Sequence, residues 1–157
     1  KALNKMKSKK KMAPNWYLDM TEIIKYWDGQ QRVYHHTAPI NMMYALYQSL
    51  YDLIEEGIDN TILRHQRVHD QLANSLSDLG LDFLVDKDYR LPSLNAILIP
   101  NGVNDLDVRT ILLNKYNIEI GGGLGPFAGR VWRVGLMGHS AREESVSKLA
   151  HALGKIL

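Results

Sequence analysis

The sequence contains no cysteine, which excludes disulfide bonds and thiolate metal sites. It also has no uninterrupted apolar run near the roughly 18 residues that a membrane-spanning helix needs. The N-terminal residues lack the apolar core of a signal peptide, and no internal repeat is present. These absences predict a protein without membrane segments, and the lack of cysteine fits a reducing compartment.

Positive charge is concentrated at the start of the chain. Six of the first twelve residues are lysines, at positions 1, 5, 7, 9, 10 and 11, whereas the net charge of the whole chain is only +2. The remainder is therefore net acidic, and it offers no basic, aromatic-lined face of the kind that binds nucleic acid. We expect no nucleic-acid partner and interpret the lysine run as a solvated helix end.

The 157 residues, of which 45% are apolar, can build a substantial core. From Gly57 onward, predicted strands alternate with predicted helices, which indicates a small α/β sandwich. The strands are expected at 82–85, 94–100, 118–120 and 131–137. The helices are expected to begin at three caps: Asp59 or Asn60, then Asn104, and finally a capping box at Ser140 to Glu143 that opens a helix burying Val146, Leu149, Ala150 and Leu153.

The first 56 residues are instead predicted to form helices joined by an aromatic-rich segment. A helix is predicted from Ala2 to Lys11, broken at 13–15, and a short second helix is capped by Asp19 or Thr21 and ends at 28–29. The stretch 32–39 is expected to be extended and to enter a helix that ends at Gly57. That helix is apolar nearly all round, so it is either buried or covered by another subunit.

The most informative stretch is a glycine-rich loop, 121–129, followed by a strand that carries one arginine. Side chains alternate along a strand, so Trp132, Val134 and Leu136 share one face. Arg133 lies on the other face with Val131 and beside Gly135, where the missing side chain leaves room. A partly buried guanidinium needs an anion, and two alternatives stay open: an internal Asp or Glu, or the carboxylate of a ligand.

A second candidate site precedes the long helix. Thr37 falls at the predicted N-cap position and Pro39 in the first turn, so the hydroxyls of Tyr34 and Thr37 would stand at a helix N-terminus. A helix N-terminus attracts phosphate, which makes these two residues candidate phosphate ligands. The alternative is that Thr37 only caps its own helix.

Other sequence patterns are weaker evidence for a functional site. His65 and His69 have the i, i+4 spacing of a metal pair, but Gln66 stands where a zinc-protease motif needs Glu and no third ligand suggests itself, so we expect no metal. His35 and His36 are adjacent and are predicted to face opposite ways in an extended chain. The glycine loop lacks the following helix of either nucleotide-binding signature.

Three spaced motifs together resemble the C-terminal part of the class V, fold type I aminotransferases, in the alanine–glyoxylate and serine–pyruvate branch. The motifs are Tyr34-His35-His36-Thr37, the strand and loop from Ile118 to Pro126, and the run from Arg133 to Gly138. The resemblance spans essentially the whole chain. It implies an α/β fold in which residues 1–56 are the helical end of a large cofactor-binding domain and residues 57–157 are the small C-terminal domain.

The resemblance also implies a cofactor, partners and roles for three residues. Tyr34 and Thr37 would reach across a homodimer interface to the pyridoxal 5'-phosphate of the neighbouring subunit, and Arg133 would bind the substrate α-carboxylate. The implied reaction is transamination between a small amino acid, alanine or serine, and a 2-oxo acid, glyoxylate or pyruvate. The implied location is cytoplasmic, with an organelle such as the peroxisome or mitochondrion left open.

The family's Schiff-base lysine is expected before residue 1, so this chain contains no catalytic residue and is expected to be inactive alone. Lys1 is not that lysine, because Lys5 to Ser8 match a basic helix further along the family's sequence. Two alternatives remain: a non-catalytic dimerisation or interaction domain, and a related class V enzyme with another amino donor. A cysteine desulfurase is disfavoured because the sequence has no cysteine.

Overall fold

The computed structural model describes residues 1–9, 14–27, 29, 31 and 33–157. They form two compact units, Lys1–Asp52 and Leu53–Leu157. The assignment of residues 1–56 and 57–157 to two functional domains stays a prediction. No helix among the described residues is long and apolar enough to cross a membrane.

The first unit consists mainly of helices: α1 (Ala2–Lys7), α2 (Met20–Ile23) and most of α3 (Ile40–Glu56). The predicted cap of α2 is confirmed, because the Asp19 carboxylate accepts a hydrogen bond from the Thr21 backbone N–H at 2.9 Å. The first helix is shorter than predicted and ends at Lys7. The predicted break at 13–15 and helix end at 28–29 fall partly on residues 13 and 28, outside the described residues.

The prediction that Thr37 is the N-cap of α3 is wrong. The helix begins at Ile40, and the Pro39 carbonyl accepts its first hydrogen bond, from the Met43 N–H at 3.0 Å. The physical reason is Pro39, whose ring disfavours the helical conformation at the preceding residue, Ala38, and so delays the start of the helix. The Thr37 side chain is thereby left outside the helix.

The apolar side chains of α3 are exposed in this chain, and no residue of the helix is buried. Between 48% and 74% of the accessible surface of each is open for Ile40, Met42, Met43, Tyr44, Leu46, Tyr47, Leu50, Tyr51 and Ile54. A contiguous apolar surface of this kind normally marks an interface. The sequence-based expectation that another subunit covers α3 stays a prediction.

The second unit confirms the predicted α/β fold. Its helices are α4 (Ile58–Asp78), α5 (Asp105–Tyr116) and α6 (Glu143–Ile156). Its strands are β1 (Leu94–Leu98), β2 (Gly121–Gly122) and β3 (Val131–Gly135), which form an antiparallel sheet in the order β1-β3-β2.

Two predicted strands are wrong or incomplete. Residues 118–120 are not a strand, because the Ile118 N–H bonds back to the Leu112 carbonyl at 3.0 Å and closes α5, so pairing with β3 starts only at Gly121. The segment 82–85 contributes a single antiparallel bridge, between Phe83 and Ile97.

The sheet and helices enclose one apolar core centred on Trp132, whose side chain is fully buried. Trp132, Val134 and Leu136 all lie in this core, which confirms the predicted alternation along β3. Val131 is also buried, although it lies on the opposite face. The glycine loop folds over it: a Cβ placed on Gly123 would stand 3.0 Å from Val131 Cγ2.

The helix starts are only partly predicted. Asn104 caps α5 as expected, with its side-chain oxygen 2.9 Å from the Leu106 N–H. The α4 cap at Asp59 or Asn60 is wrong, because α4 follows directly on Gly57 at φ 84°. The capping box at Ser140 is also wrong.

Ser140 belongs to a separate 3-10 turn, Gly138–Ser140, and its hydroxyl bonds to the backbone of Met137. The last helix, α6, begins at Glu143 and buries Val146, Leu149 and Leu153 as predicted. Its fourth buried residue is Ala152, whereas Ala150 is only half-buried.

Candidate functional site

Arg133 lies across the two glycines of β2. The strand register pairs Arg133 with Gly121 on one side and with Ala96 on the other. Its Nε donates a hydrogen bond to the Gly122 carbonyl at 2.7 Å. A Cβ added to Gly121 would lie 3.2 Å from Arg133 Nη2, so the absence of a side chain there is what gives the guanidinium its room.

Within the described part of the chain, Arg133 makes no ion pair with an Asp or Glu. The acidic side chain beside β2 is Asp105, about 3.3 Å from where a Gly122 Cβ would stand, and it is already bound to Arg109 at 2.7 Å. The same contact raises the pKa of Arg109 above its usual value. Arg133 therefore forms no internal ion pair, of the kind that the sequence left open, with any residue that the structure describes.

A half-buried guanidinium whose Nη groups make no hydrogen bond to the described residues can bind a carboxylate. The group carries five N–H donors in a planar fork, of which the Gly122 carbonyl takes one. The remaining edge matches a carboxylate held by two parallel charge-assisted hydrogen bonds. The geometry at Arg133 is thus compatible with the predicted substrate contact.

The second candidate site lies in the first unit, where the hydroxyls of Tyr34 and Thr37 are hydrogen-bonded to each other. Tyr26 holds the turn between them, because its hydroxyl accepts from the His36 N–H at 2.7 Å and donates to the His36 carbonyl. An open cleft of about 470 Å³ lies against this turn. Its lining consists of Tyr26, Tyr34, His36, Thr37, Ala38 and Ile40.

This turn fits a phosphate group chemically. Both residues are exposed, with 70% of the Tyr34 surface open, and each hydroxyl could donate to a phosphate oxygen once the hydrogen bond between them is released. The turn runs directly into the start of α3 at Ile40, where backbone N–H groups and the positive end of the helix dipole favour an anion. The departure of Thr37 from the N-cap position leaves its hydroxyl available for such a contact.

Comparison with known proteins relates the chain to a group of aminotransferases. The chain is 39% identical over 160 residues to an alanine–glyoxylate aminotransferase of Mus musculus, covering 100% of this chain and 39% of the relative. It superimposes on the crystal structure of an alanine–glyoxylate aminotransferase from Nostoc sp. with a TM-score of 0.91 and 50% identity, covering 99% of this chain and 41% of that one. By sequence and by fold, the chain matches part of the class V aminotransferases.

The likeness extends to family members with a different amino donor in their names. The structure of a ureidoglycine–glyoxylate aminotransferase from Bacillus subtilis matches at 33% identity and a TM-score of 0.85, covering 92% of this chain and 37% of that one. No protein-family model matches the sequence. The chain spans about two fifths of the length of the curated relatives that it matches most fully.

The adjacent histidines of this chain do not face opposite ways, so that prediction is wrong. The two Nδ1 atoms of His35 and His36 are 2.6 Å apart, because the backbone bends at His36 instead of staying extended. Each ring stacks on an aromatic neighbour, His35 on Trp16 and His36 on Tyr17. The two rings therefore pack against the aromatic residues of the preceding segment.

His65 and His69 use their ring nitrogens for hydrogen bonds. His65 Nδ1 lies 2.7 Å from the Thr61 carbonyl, and its Nε2 accepts from the Gly138 N–H at 3.1 Å. His69 Nδ1 lies 2.8 Å from the buried Asn95 side-chain oxygen. Among the described residues, no three His, Asp or Glu side chains are arranged to hold a metal ion.

Proposed function

We propose that this chain forms the substrate-binding and cross-subunit part of a pyridoxal-phosphate-dependent aminotransferase that transfers an amino group from alanine or serine to glyoxylate or pyruvate. The observation that carries the proposal is Arg133, a half-buried guanidinium without an internal acidic partner among the described residues. The names of the relatives in mouse and Nostoc support the donor and acceptor classes. The activity belongs to the complete enzyme, which includes the Schiff-base lysine.

Pyridoxal phosphate, when bound, supplies the electron sink that makes the substrate α-proton removable. Tyr34 and Thr37 would hold its phosphate through their hydroxyls, from the cleft described above. Their role is positioning, because a fixed phosphate fixes the ring to which it is attached.

Arg133 would orient the substrate in both half-reactions, since the amino donor and the oxo acceptor share a carboxylate. Two parallel hydrogen bonds from its fork fix both the position and the rotation of that carboxylate. The resulting alignment of the substrate α-carbon would raise the rate of the reaction, because binding then holds the reacting atom in position.

We also propose that the complete enzyme is a homodimer in which α3 is covered by the second subunit. The support is the apolar surface of α3, where Met42, Tyr44 and Ile54 each expose 70% or more of their accessible area. Tyr34 and Thr37 directly precede this helix, so an interface there would bring them to an active site shared between subunits.

The function is tested by profiling the complete enzyme with a panel of amino donors against glyoxylate and pyruvate. We expect alanine or serine to give the highest kcat/KM, with acidic and aromatic amino acids poor donors. Absence of transamination with every donor would favour the alternative of a non-catalytic dimerisation domain. A high rate only with a different donor would assign the chain to another class V enzyme.

The phosphate site gives a separate prediction, that Thr37→Val weakens cofactor retention. Valine keeps the shape of threonine but removes the hydroxyl, so one hydrogen bond to the phosphate is lost, worth roughly 1–3 kcal/mol because the acceptor is charged. We expect the visible absorbance of the holoenzyme to disappear faster during dialysis. Thr110→Val, at an exposed position on α5, is the matched control. Equal cofactor loss in both variants and the wild type would remove Thr37 from the site.

A further inference from the structure

Helix α4 is tied to the chain that leaves β3 by an arginine. Arg64 Nη1 donates to two backbone carbonyls of the turn that follows the strand, Gly138 at 2.9 Å and Ala141 at 2.8 Å. Ala141 itself is fully buried. One guanidinium nitrogen thus bridges the two carbonyls of the turn and attaches the turn to α4.

The other edge of the same guanidinium is held by Glu56. Arg64 Nε and Nη2 donate to the two carboxylate oxygens at 2.5 and 2.8 Å, and the Thr61 hydroxyl adds a third hydrogen bond at 2.7 Å. The hydrogen bonds from Arg64 and then Thr61 lower the pKa of Glu56 to about 2. The carboxylate therefore stays charged at neutral pH and keeps Arg64 turned towards Gly138.

His65 binds the remaining polar group of Gly138. Its Nδ1–H donates to the Thr61 carbonyl, which leaves Nε2 as the acceptor for the Gly138 N–H at 3.1 Å. Both backbone groups of Gly138 are therefore bound to α4, the carbonyl by Arg64 and the N–H by His65. Gly138 adopts φ 52°, a conformation that glycine allows at little cost.

A second tie lies one helical turn further along α4. The buried His69 contacts the Asn95 side chain, and the Asn95 amide donates to the Val134 carbonyl at 3.4 Å. Val134 is the residue after Arg133. Helix α4 is therefore linked to β3 through Asn95 immediately after the arginine, and it contacts directly the turn where the chain leaves the sheet.

We propose that Arg64 and His65 are positioning residues for Arg133, which set its location by anchoring the Gly138 turn to α4. This inference rests on the proposed role of Arg133 as the substrate-carboxylate ligand. Among the described residues, the Arg133 side chain has one hydrogen bond, to Gly122, so its position depends mainly on the backbone of β3. A displacement of about 1 Å in a substrate-orienting group can cost about 100-fold in rate.

The test compares two substitutions of His65 in the complete holoenzyme. His65→Gln keeps a side-chain oxygen that can accept from the Gly138 N–H, whereas His65→Leu cannot accept. The readouts are the dissociation constant of propionate, a carboxylate that cannot react, and the KM and kcat for alanine. Arg67→Met is the control, since Arg67 sits on the same helix and its ion pair among the described residues is with exposed Glu143 at 3.0 Å.

We expect His65→Leu to weaken propionate binding and raise the KM for alanine roughly tenfold. We expect His65→Gln to stay within about twofold of the wild type, and Arg67→Met to be unchanged. If His65→Leu does not fold, Arg64→Lys serves as the second variant for the same measurements. Lysine keeps the charge beside Glu56 but loses the fork that binds both partners, so the same weakening is expected.

Two outcomes overturn the inference. If His65→Leu and Arg64→Lys bind propionate as the wild type does while Arg133→Ala does not, Arg133 keeps its role and the α4 anchor has none. If His65→Gln is as weak as His65→Leu, the loss does not act through the Gly138 hydrogen bond. Unchanged propionate binding in Arg133→Ala would instead reject the proposed function itself.

Discussion

Replacing Arg133 with alanine is expected to lower kcat/KM by more than tenfold for both the amino donor and the oxo acceptor. The substitution removes a charge-assisted bidentate contact that both substrates would share, which corresponds to more than about 1.4 kcal/mol of transition-state stabilisation. The KM should rise for both substrates because the carboxylate is held before and during the reaction. Steady-state kinetics of the complete enzyme, with the amino donor and the oxo acceptor varied in turn, measure the effect.

Arg133→Lys and Arg130→Ala sharpen that experiment. Lysine retains a point charge but not the planar fork, so its kcat/KM should lie between those of the wild type and Arg133→Ala. Arg130 is exposed and precedes β3, so its removal should leave both kinetic constants near the wild-type values. Wild-type kinetics in Arg133→Ala would leave the chain with a family likeness and no substrate contact.

The face on which Arg133 lies could be predicted because strand periodicity is a local property. Two-residue alternation places Trp132 in the core and Arg133 opposite it, and the structure follows that pattern. The partner of Arg133 could not be predicted, since Gly122 is brought to it by strand pairing across the whole glycine loop. Composition shows that glycines are present but not which strand they pair with.

The predicted helix boundaries were wrong where neighbouring residues in the fold compete with a local capping signal in the sequence. Ser140 has the spacing of a capping box. It lies instead in the 3-10 turn whose Gly138 carbonyl is bound by Arg64, and its hydroxyl bonds to the backbone of Met137. Thr37 has the side chain of an N-cap, but Pro39 delays the start of α3. The second of these was readable from the sequence through the restriction that proline places on the residue before it.

The histidines of α4 illustrate how long-range contacts decide a role. Their spacing correctly puts His65 and His69 on one face of a helix, because i and i+4 positions are neighbours there. Their partners, Gly138 and Asn95, come from the exit of β3 and from β1. The sequence signal for such a contact was Asn95, because a polar residue within an apolar strand usually has a buried hydrogen-bond partner.

Gly123→Ala is expected to destabilise the protein by about 3 kcal/mol, the largest stability effect among the glycines of this loop. A Cβ there would lie 1.9 Å from the Phe127 carbonyl oxygen and 2.5 Å from its carbon. Both are backbone atoms, so no side-chain rotation can relieve the overlap. Gly123 has no positive φ, so the requirement for glycine is one of space and not of conformation.

The measurement is the thermal unfolding midpoint of the complete protein, with Gly135→Ala as the control because an added Cβ there would meet only Met137 Cε at 3.5 Å. We expect the midpoint to fall by roughly 5 °C or more for Gly123→Ala and to stay near the wild type for Gly135→Ala. Since the same loop covers Val131 and joins β2 to β3, a displaced loop should also shift Gly122 relative to Arg133 and weaken propionate binding. An unchanged midpoint together with unchanged propionate binding would contradict the close approach of Gly123 to Phe127.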